Sequence, residues 1–563
     1  MNLYSKLLAL LLANLTLTIY AQNPLPNNWH SLDKKENGYY GVSAEKAIQS
    51  TLKDRKSKTV VVAILDSGVD YKHEDLKDNM WVNPKEIPNN GRDDDQNGYI
   101  DDIHGWNFIG GKNGENVSSD NLEVTRLYAK LKYKYDKADP DKISKADKKS
   151  YEEFLKLKEE VESHRQTATE ALAGIQKSET IVKNAIQAAI KALDGQAITL
   201  ENIEKLDEGD SKTISTGVAV LKQLIEEFPD LKTGDEMMKF IENDFNEGKK
   251  HYQKELDFSF NPDLNTRKIV GDNYANPLEK NYGNNDVKGP DASHGTHVAG
   301  LVGAVRNNQI GMDGIATNVK IMSVRCVPDG DERDKDVANA IRYAVDNGAT
   351  VINMSFGKGY SPEKDVVDAA VKYAASKDVL LVHAAGNSAQ NNDKTNNFPN
   401  KVYQKKKFLG KNKAKNWLEV GAIAPKDGLG MVAGFSNYGK KNVDLFSPGV
   451  AIYSTTPENT YNSFQGTSMA SPIAAGVVAM LRSHFPTLTA KQIIKIVKSS
   501  TETPVLKVIQ PGTKEEVNFS DLSSSGGIIN LEKAVQLALK TKGKKKVSGW
   551  NSDHSVDPKN IRA

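Results

Sequence analysis

The chain has 563 residues, enough for two or three average domains or for one enlarged domain. Its 75 basic and 73 acidic side chains nearly cancel, leaving +2 at neutral pH, so the total points to neither nucleic acid nor an acidic polymer as partner. One cysteine, Cys326, excludes an intramolecular disulfide; its IMSVRCV setting reads as a buried strand and the thiol as an inert core group.

Taken in chain order, residues 1–21 have the layout of an export signal: Lys6, an apolar stretch at 7–19, and Ala21 before Gln22. That stretch falls short of the ~20 residues a bilayer span needs, so a secreted or periplasmic product without a stable membrane span is expected. Residues 22–42 form a short N-terminal segment. The run VVVAIL at 60–65 is apolar and β-branched without alternation, as in a strand buried on both faces, and Asp66 follows at its C-terminal end. Residues 89–108 carry Asp93, Asp95, Asn97, Gly98 and Asp101. Alternate carboxylates about a glycine turn suit calcium, with the Tyr99 carbonyl as a further ligand, although no glutamate completes an EF-hand.

From 113 to 288 the pattern changes. Leu157, Val161, Ala168, Leu172, Ile175, Val182, Ile186, Ile190 and Leu193 recur mostly at helical spacing, with Gly195 as a stop, and further helical pieces follow near 218–228 and 237–252. This is a helical hairpin or small bundle inserted into an α/β domain comprising 43–112 and 289–540. Its charge-rich face reads as a solvated surface. After it, DASHGTHVAG places His294 at the start of a helix of small residues. Buried strands at 319–324, 350–354, 379–382 and 418–423 alternate with helical patterns, which argues for a mostly parallel sheet covered by helices. In YNSFQGTSMASPIAAG, Ser468 stands where an apolar helix begins, with Pro472 expected in its first turn. Residues 541–563 lack periodicity and read as a loose tail.

A serine hydroxyl attacks only when a base takes its proton and a third group orients the base. Singly, Ser468 reads as a cap, Asp66 as a turn former and His294 as a capping or surface residue. Together, VVVAILDSGVD, SHGTHVAG, HAAGNS and GTSMASP, in that order, resemble the signatures of the subtilisin-like serine proteases, the subtilases. The resemblance covers 43–108 and 289–540. It implies a three-layer α/β fold and an exported endopeptidase acting on peptides or proteins through an acyl-enzyme, with oligomeric state left open. Ser468 would be the nucleophile, His294 the base, Asp66 its orienting carboxylate and Asn387 an oxyanion donor. Ser355, Phe356 and Gly357 match the substrate-binding strand; Ala384, Ala385 and Gly386 match the other wall of the primary pocket. Glycines there imply room for a large apolar side chain before the cut. Asp75 and Asn308 resemble ligands of a calcium site, although the loop holding Asn308 is one residue longer here.

Two departures from the family qualify this. No large pro-domain fits between Gln22 and Gly41, so activity is expected not to require removal of one. The insertion, lying between the Asp66 and His294 segments, is expected to overhang the cleft and narrow the substrate range. A narrow processing peptidase and a non-catalytic peptide-binding protein on the same scaffold are the alternatives.

Overall fold

Seven parallel strands form one sheet in the order β2-β3-β1-β4-β5-β6-β7. They are β1 (Val60–Asp66), β2 (Gly105–Asn107), β3 (Val319–Arg325), β4 (Val351–Met354), β5 (Leu380–Ala384), β6 (Trp417–Ile423) and β7 (Leu445–Pro448). The computed structural model describes residues 25–206, 211–405 and 412–547. The stretch expected to be an export signal and the tail beyond 547 lie outside the described residues.

The strands read as continuous apolar runs because both faces are covered. In β1, Val62 and Ile64 enter one core while Ala63 and Leu65 enter the other, the two-residue period of a pleated strand. The sheet order reverses beside β1, so its C-terminal end opens at a topological switch point, where open α/β sheets place their sites.

The insertion contributes α1 (Glu123–Tyr135), α2 (Lys148–Ala192), α3 (Lys212–Glu227) and α4 (Gly234–Lys254). Helix α2 runs for 45 residues, and α3 and α4 pack along it. Two small cores hold this arm. One, around Tyr128, Phe154, Leu157 and Val161, lies next to the sheet domain and takes in Tyr360; the other gathers Ile186, Leu221, Leu224 and Met237. Helix α4 begins with a capping box in which Thr233 and Glu236 satisfy each other's backbone N–H groups.

Four helices cover the sheet. Helices α5 (Ser293–Gly303) and α8 (Thr467–His484) share a core with Val62 and Ile64, whereas α6 (Asp334–Asp346) and α7 (Lys364–Ser376) pack on the opposite face. A hairpin of β8 (Ile452–Thr456) and β9 (Thr460–Phe464) leads into α8.

The structure departs from expectation at two points. Helix α8 starts at Thr467, so Pro472 lies in its second turn rather than its first. The start of the tail is also tied down: Lys545 N–H donates to the Thr487 carbonyl at 2.9 Å, and its ammonium pairs with Asp378 at 3.0 Å. Cys326 is fully buried and free, and burial pushes its thiol pKa well up, as an inert core thiol requires.

Candidate active site

Asp66, the last residue of β1, is 2% exposed and meets the second residue of α5: its Oδ1 lies 2.7 Å from His294 Nδ1. The same oxygen accepts the Ser67 N–H at 2.8 Å. Gly295 makes this approach possible, since a Cβ there would stand 2.0 Å from the Gly68 carbonyl oxygen and 3.2 Å from Asp66 Cβ. Burial disfavours charge on the imidazole, but the Asp66 carboxylate and its hydrogen bond outweigh it. The His294 pKa is therefore raised above the ordinary 6.5. His297, the second histidine of the motif, is buried, stacks on Phe464 and bonds the Ile452 carbonyl at 2.9 Å; burial lowers its pKa to about 3.

Ser468 is held by a polar network beneath α8. Proline at 472 has no N–H to give the carbonyl four residues earlier, so the Ser468 carbonyl needs another donor. Ser355 Oγ supplies one at 2.8 Å. Ser355 is positioned in turn by Asn353 Nδ2 at 2.9 Å, and Asn353 by Ser471 Oγ at 2.7 Å, all three buried. The Ser468 hydroxyl donates to the Ser355 carbonyl at 3.1 Å rather than to His294.

Asn387 is exposed, with its amide fixed in one orientation. Its Oδ1 accepts from Thr467 N–H at 2.9 Å and Thr467 Oγ at 2.8 Å, so Nδ2 faces the other way. A Cβ on Gly466 would lie 3.3 Å from Asn387 Nδ2 and 3.5 Å from Ser468 N. That space, left open by a glycine at φ +150°, is a cradle with two N–H donors. Thr467, Asn353 and Ser471 were not singled out from the sequence, because their roles depend on contacts across the chain.

Ser355, Phe356 and Gly357 follow β4, and Ala384, Ala385 and Gly386 end or follow β5, so the structure places the two expected walls on neighbouring strands. Between them stands a residue that sequence reasoning missed. Asn397 Nδ2 donates to the carbonyls of Ala385 at 3.0 Å and Ala384 at 3.3 Å, and its Oδ1 lies 2.5 Å from where a Cβ on Gly357 would be. The space beside Gly357 thus meets a polar amide.

The acidic stretch assembles differently from its spacing. Asp93 and Asp95 come together, and the third carboxylate beside them is Glu86, all three offering oxygens within 4.8 Å of one another. Asp101 instead turns to the N–H groups of Asn90 and Gly91, at 3.1 and 2.8 Å. Asn97 Oδ1 accepts the Tyr99 N–H at 2.8 Å, and its own backbone N–H donates to Asp93 and Asp95 at 3.0 and 3.1 Å. Glu86 is 7% exposed, and its Oε2 is buried without a hydrogen-bond partner. Hard oxygen donors with an orphaned carboxylate oxygen fit calcium. Asp75 and Asn308 also meet, but as a donor–acceptor pair: Asn308 Nδ2 gives Asp75 Oδ1 a 2.7 Å bond, and Asp75 Oδ2 takes the Met312 N–H at 3.1 Å.

The subtilase family model (Peptidase_S8) matches residues 57–521. The chain belongs to the subtilase family. Among curated relatives, it is 39% identical over 228 residues to a thermophilic serine proteinase of Bacillus sp. (strain AK1), covering 40% of this subtilase and 49% of the relative. It is 36% identical over 248 residues to subtilisin DY of Bacillus licheniformis, covering 43% and 77% respectively. The chain thus spans about half the length of the first of these relatives. A solved structure of a protease from Pseudoalteromonas arctica PAMC 21717 is 28% identical with a TM-score of 0.36, covering 45% of this chain and 78% of that one. Among the described residues, no helix is long and apolar enough to cross a membrane.

Proposed function

We propose that this subtilase is an exported serine peptidase that hydrolyses peptide bonds through an acyl-enzyme. Ser468 attacks the carbonyl carbon, and His294 takes the hydroxyl proton and later gives it to the leaving amine. Asp66 holds the imidazole with Nε2 free and stabilises its charged form. Asn387 Nδ2 and the Ser468 N–H receive the oxyanion; losing one such donor typically costs about 3–4 kcal/mol of transition-state stabilisation. A peptide adding as a strand along Ser355 would offer its own N–H to the Ser355 carbonyl. That carbonyl now holds the Ser468 hydroxyl, so substrate binding would release the hydroxyl towards His294.

The observation that carries the reading is the 2.7 Å Asp66–His294 bond at the switch point, with a two-donor cradle built over Ser468. A fluorophosphonate should label Ser468 of the wild-type chain, and His294→Ala should slow labelling sharply. Labelling that persists in Ser468→Ala would overturn the assignment. Export is supported by the composition of residues 1–21, and N-terminal sequencing of protein recovered outside the cytoplasm tests it.

We also infer that Glu86, Asp93 and Asp95 hold a structural calcium ion. The ion's charge would compensate carboxylates whose mutual repulsion otherwise strains the loop.

A further inference from the structure

A hollow of about 300 Å³ runs from Asp66 and His294 between two walls, residues 327–330 on one side and Ser355 with Phe356 on the other, and Ser118 stands beside it. Peptides enter such gaps by pairing with free backbone groups on the walls. Ser355 and Gly357, two residues apart, are successive pairing positions on one wall.

Just past Gly357, the side chain of Lys358 crosses the gap. Its Nζ donates to the Glu332 carbonyl on the opposite wall at 2.7 Å, and it pairs with Glu123 of α1 at 2.7 Å and with Asp334 at 2.9 Å. Arg126 of α1 donates to the carbonyls of Asp331 at 3.2 Å and Glu332 at 3.3 Å. The carbonyls that an incoming strand would use beyond Gly330 are therefore already bonded. This closure is internal rather than a surface contact, with Lys358 4% and Glu123 3% exposed.

The charge at the closed end is unbalanced. Asp120, Glu123, Asp331 and Asp334 stand against Arg126, Arg333 and Lys358. The Glu332 Oε1 is buried with no hydrogen-bond partner, and burial pushes its carboxyl up to about 8. Asp331, half-buried next to Gly330, gives one oxygen to the Glu123 N–H at 2.8 Å. Gly330 lines the hollow and Asp331 follows it in the chain, so the upstream end of a bound peptide, which in every unmodified peptide carries an α-ammonium, would come to rest next to this acidic end.

We infer that this subtilase removes short peptides, about three residues long at a two-residue strand period, from free amino termini. Lys358, Glu123 and Arg126 close the cleft, and Asp331 with Glu332 receives the substrate's ammonium. The inference rests on the serine-peptidase reading and gives it a substrate class: peptides with unblocked, flexible amino termini. Each turnover consumes one water and yields a short peptide with a new carboxylate and a shortened chain with a new amine.

The test is a ladder of peptides carrying one scissile sequence after about two to about six residues, each with a free or an acetylated amino terminus. Fluorophosphonate labelling of Ser468 is read in parallel. We expect kcat/KM to peak near three upstream residues and to fall at least about tenfold on acetylation or at the longer lengths. Glu332→Gln and Asp331→Asn should raise KM for the free peptides and bring the free-to-acetylated ratio towards unity. A Ser468 that labels while long acetylated peptides are cut as fast as short free ones overturns the closed-cleft inference and leaves the peptidase reading standing. A Ser468 that does not label, in a chain that cuts nothing, overturns both.

Discussion

His294 is where protonation and activity meet. A general base works only when neutral, so activity should be lost as pH falls through the imidazole pKa, which Asp66 raises above 6.5. Removing that carboxylate removes the interaction that raises the pKa. In Asp66→Asn the acid limb of kcat/KM should therefore move to lower pH while the plateau falls by about four orders of magnitude, because the tautomer is no longer held. A pH–rate profile of both proteins checks this; an acid limb unmoved in the variant would separate His294 from the rate-determining proton transfer. At this scale the sequence was readable where chemistry is packed into a local motif. Asp66, His294, Ser468 and Asn387 each lie in one. Glu86 and Lys358 do not: Glu86 meets Asp95 only through the folding of its own loop, and Lys358 meets a Glu123 brought by a distant segment.

The start of α8 shows how one element is tuned by another. Proline at 472 leaves the Ser468 carbonyl unbonded within the helix, and Ser355 Oγ takes its place at 2.8 Å. Ser355→Ala should thus strand a buried acceptor and lower stability by about 1–3 kcal/mol. Adding Pro472→Ala returns an N–H to that carbonyl and should recover much of the loss. Denaturant unfolding of the single and double variants measures it; a double variant no more stable than Ser355→Ala would mean the carbonyl was not the source. Element by element, long apolar runs announced themselves. The expected strands at 60–65, 319–324, 350–354, 379–382 and 418–423 all appear, with ends shifted by a residue or two. The three-residue β2 escaped because so short a segment has no period to detect, and β7, which reads LFSP, because it ends in serine and proline rather than in a β-branched run. The 45-residue helix α2 was visible as a repeat, but its junction with the sheet domain was not, since the Glu160–Tyr360 bond spans 200 residues of sequence.

For the whole molecule, the question is what stabilises a loop that gathers acid beside the sheet without a disulfide anywhere in the chain. Spacing alone suggested a ring through Asn97 and Asp101, but those side chains satisfy local backbone N–H groups, and the convergence is of Glu86, Asp93 and Asp95. An ion that binds the folded state alone stabilises it by RT ln(1 + [L]/Kd), about 2.7 kcal/mol when calcium is at a hundredfold excess over Kd. Chelation should then lower the midpoint of thermal unfolding by several degrees, and resistance to self-digestion should fall with it. Glu86→Gln removes the charge of the one carboxylate among these three whose buried oxygen has no protein partner, so its midpoint should already be low and should respond little to chelator. A wild-type chain indifferent to chelation would remove calcium from the account. A Glu86→Gln chain with an undiminished calcium response would place the ion elsewhere, and the loop at 86–95 would then have to carry its three carboxylates on hydrogen bonds from Asn83, Asp95, Asn97 and Gly98.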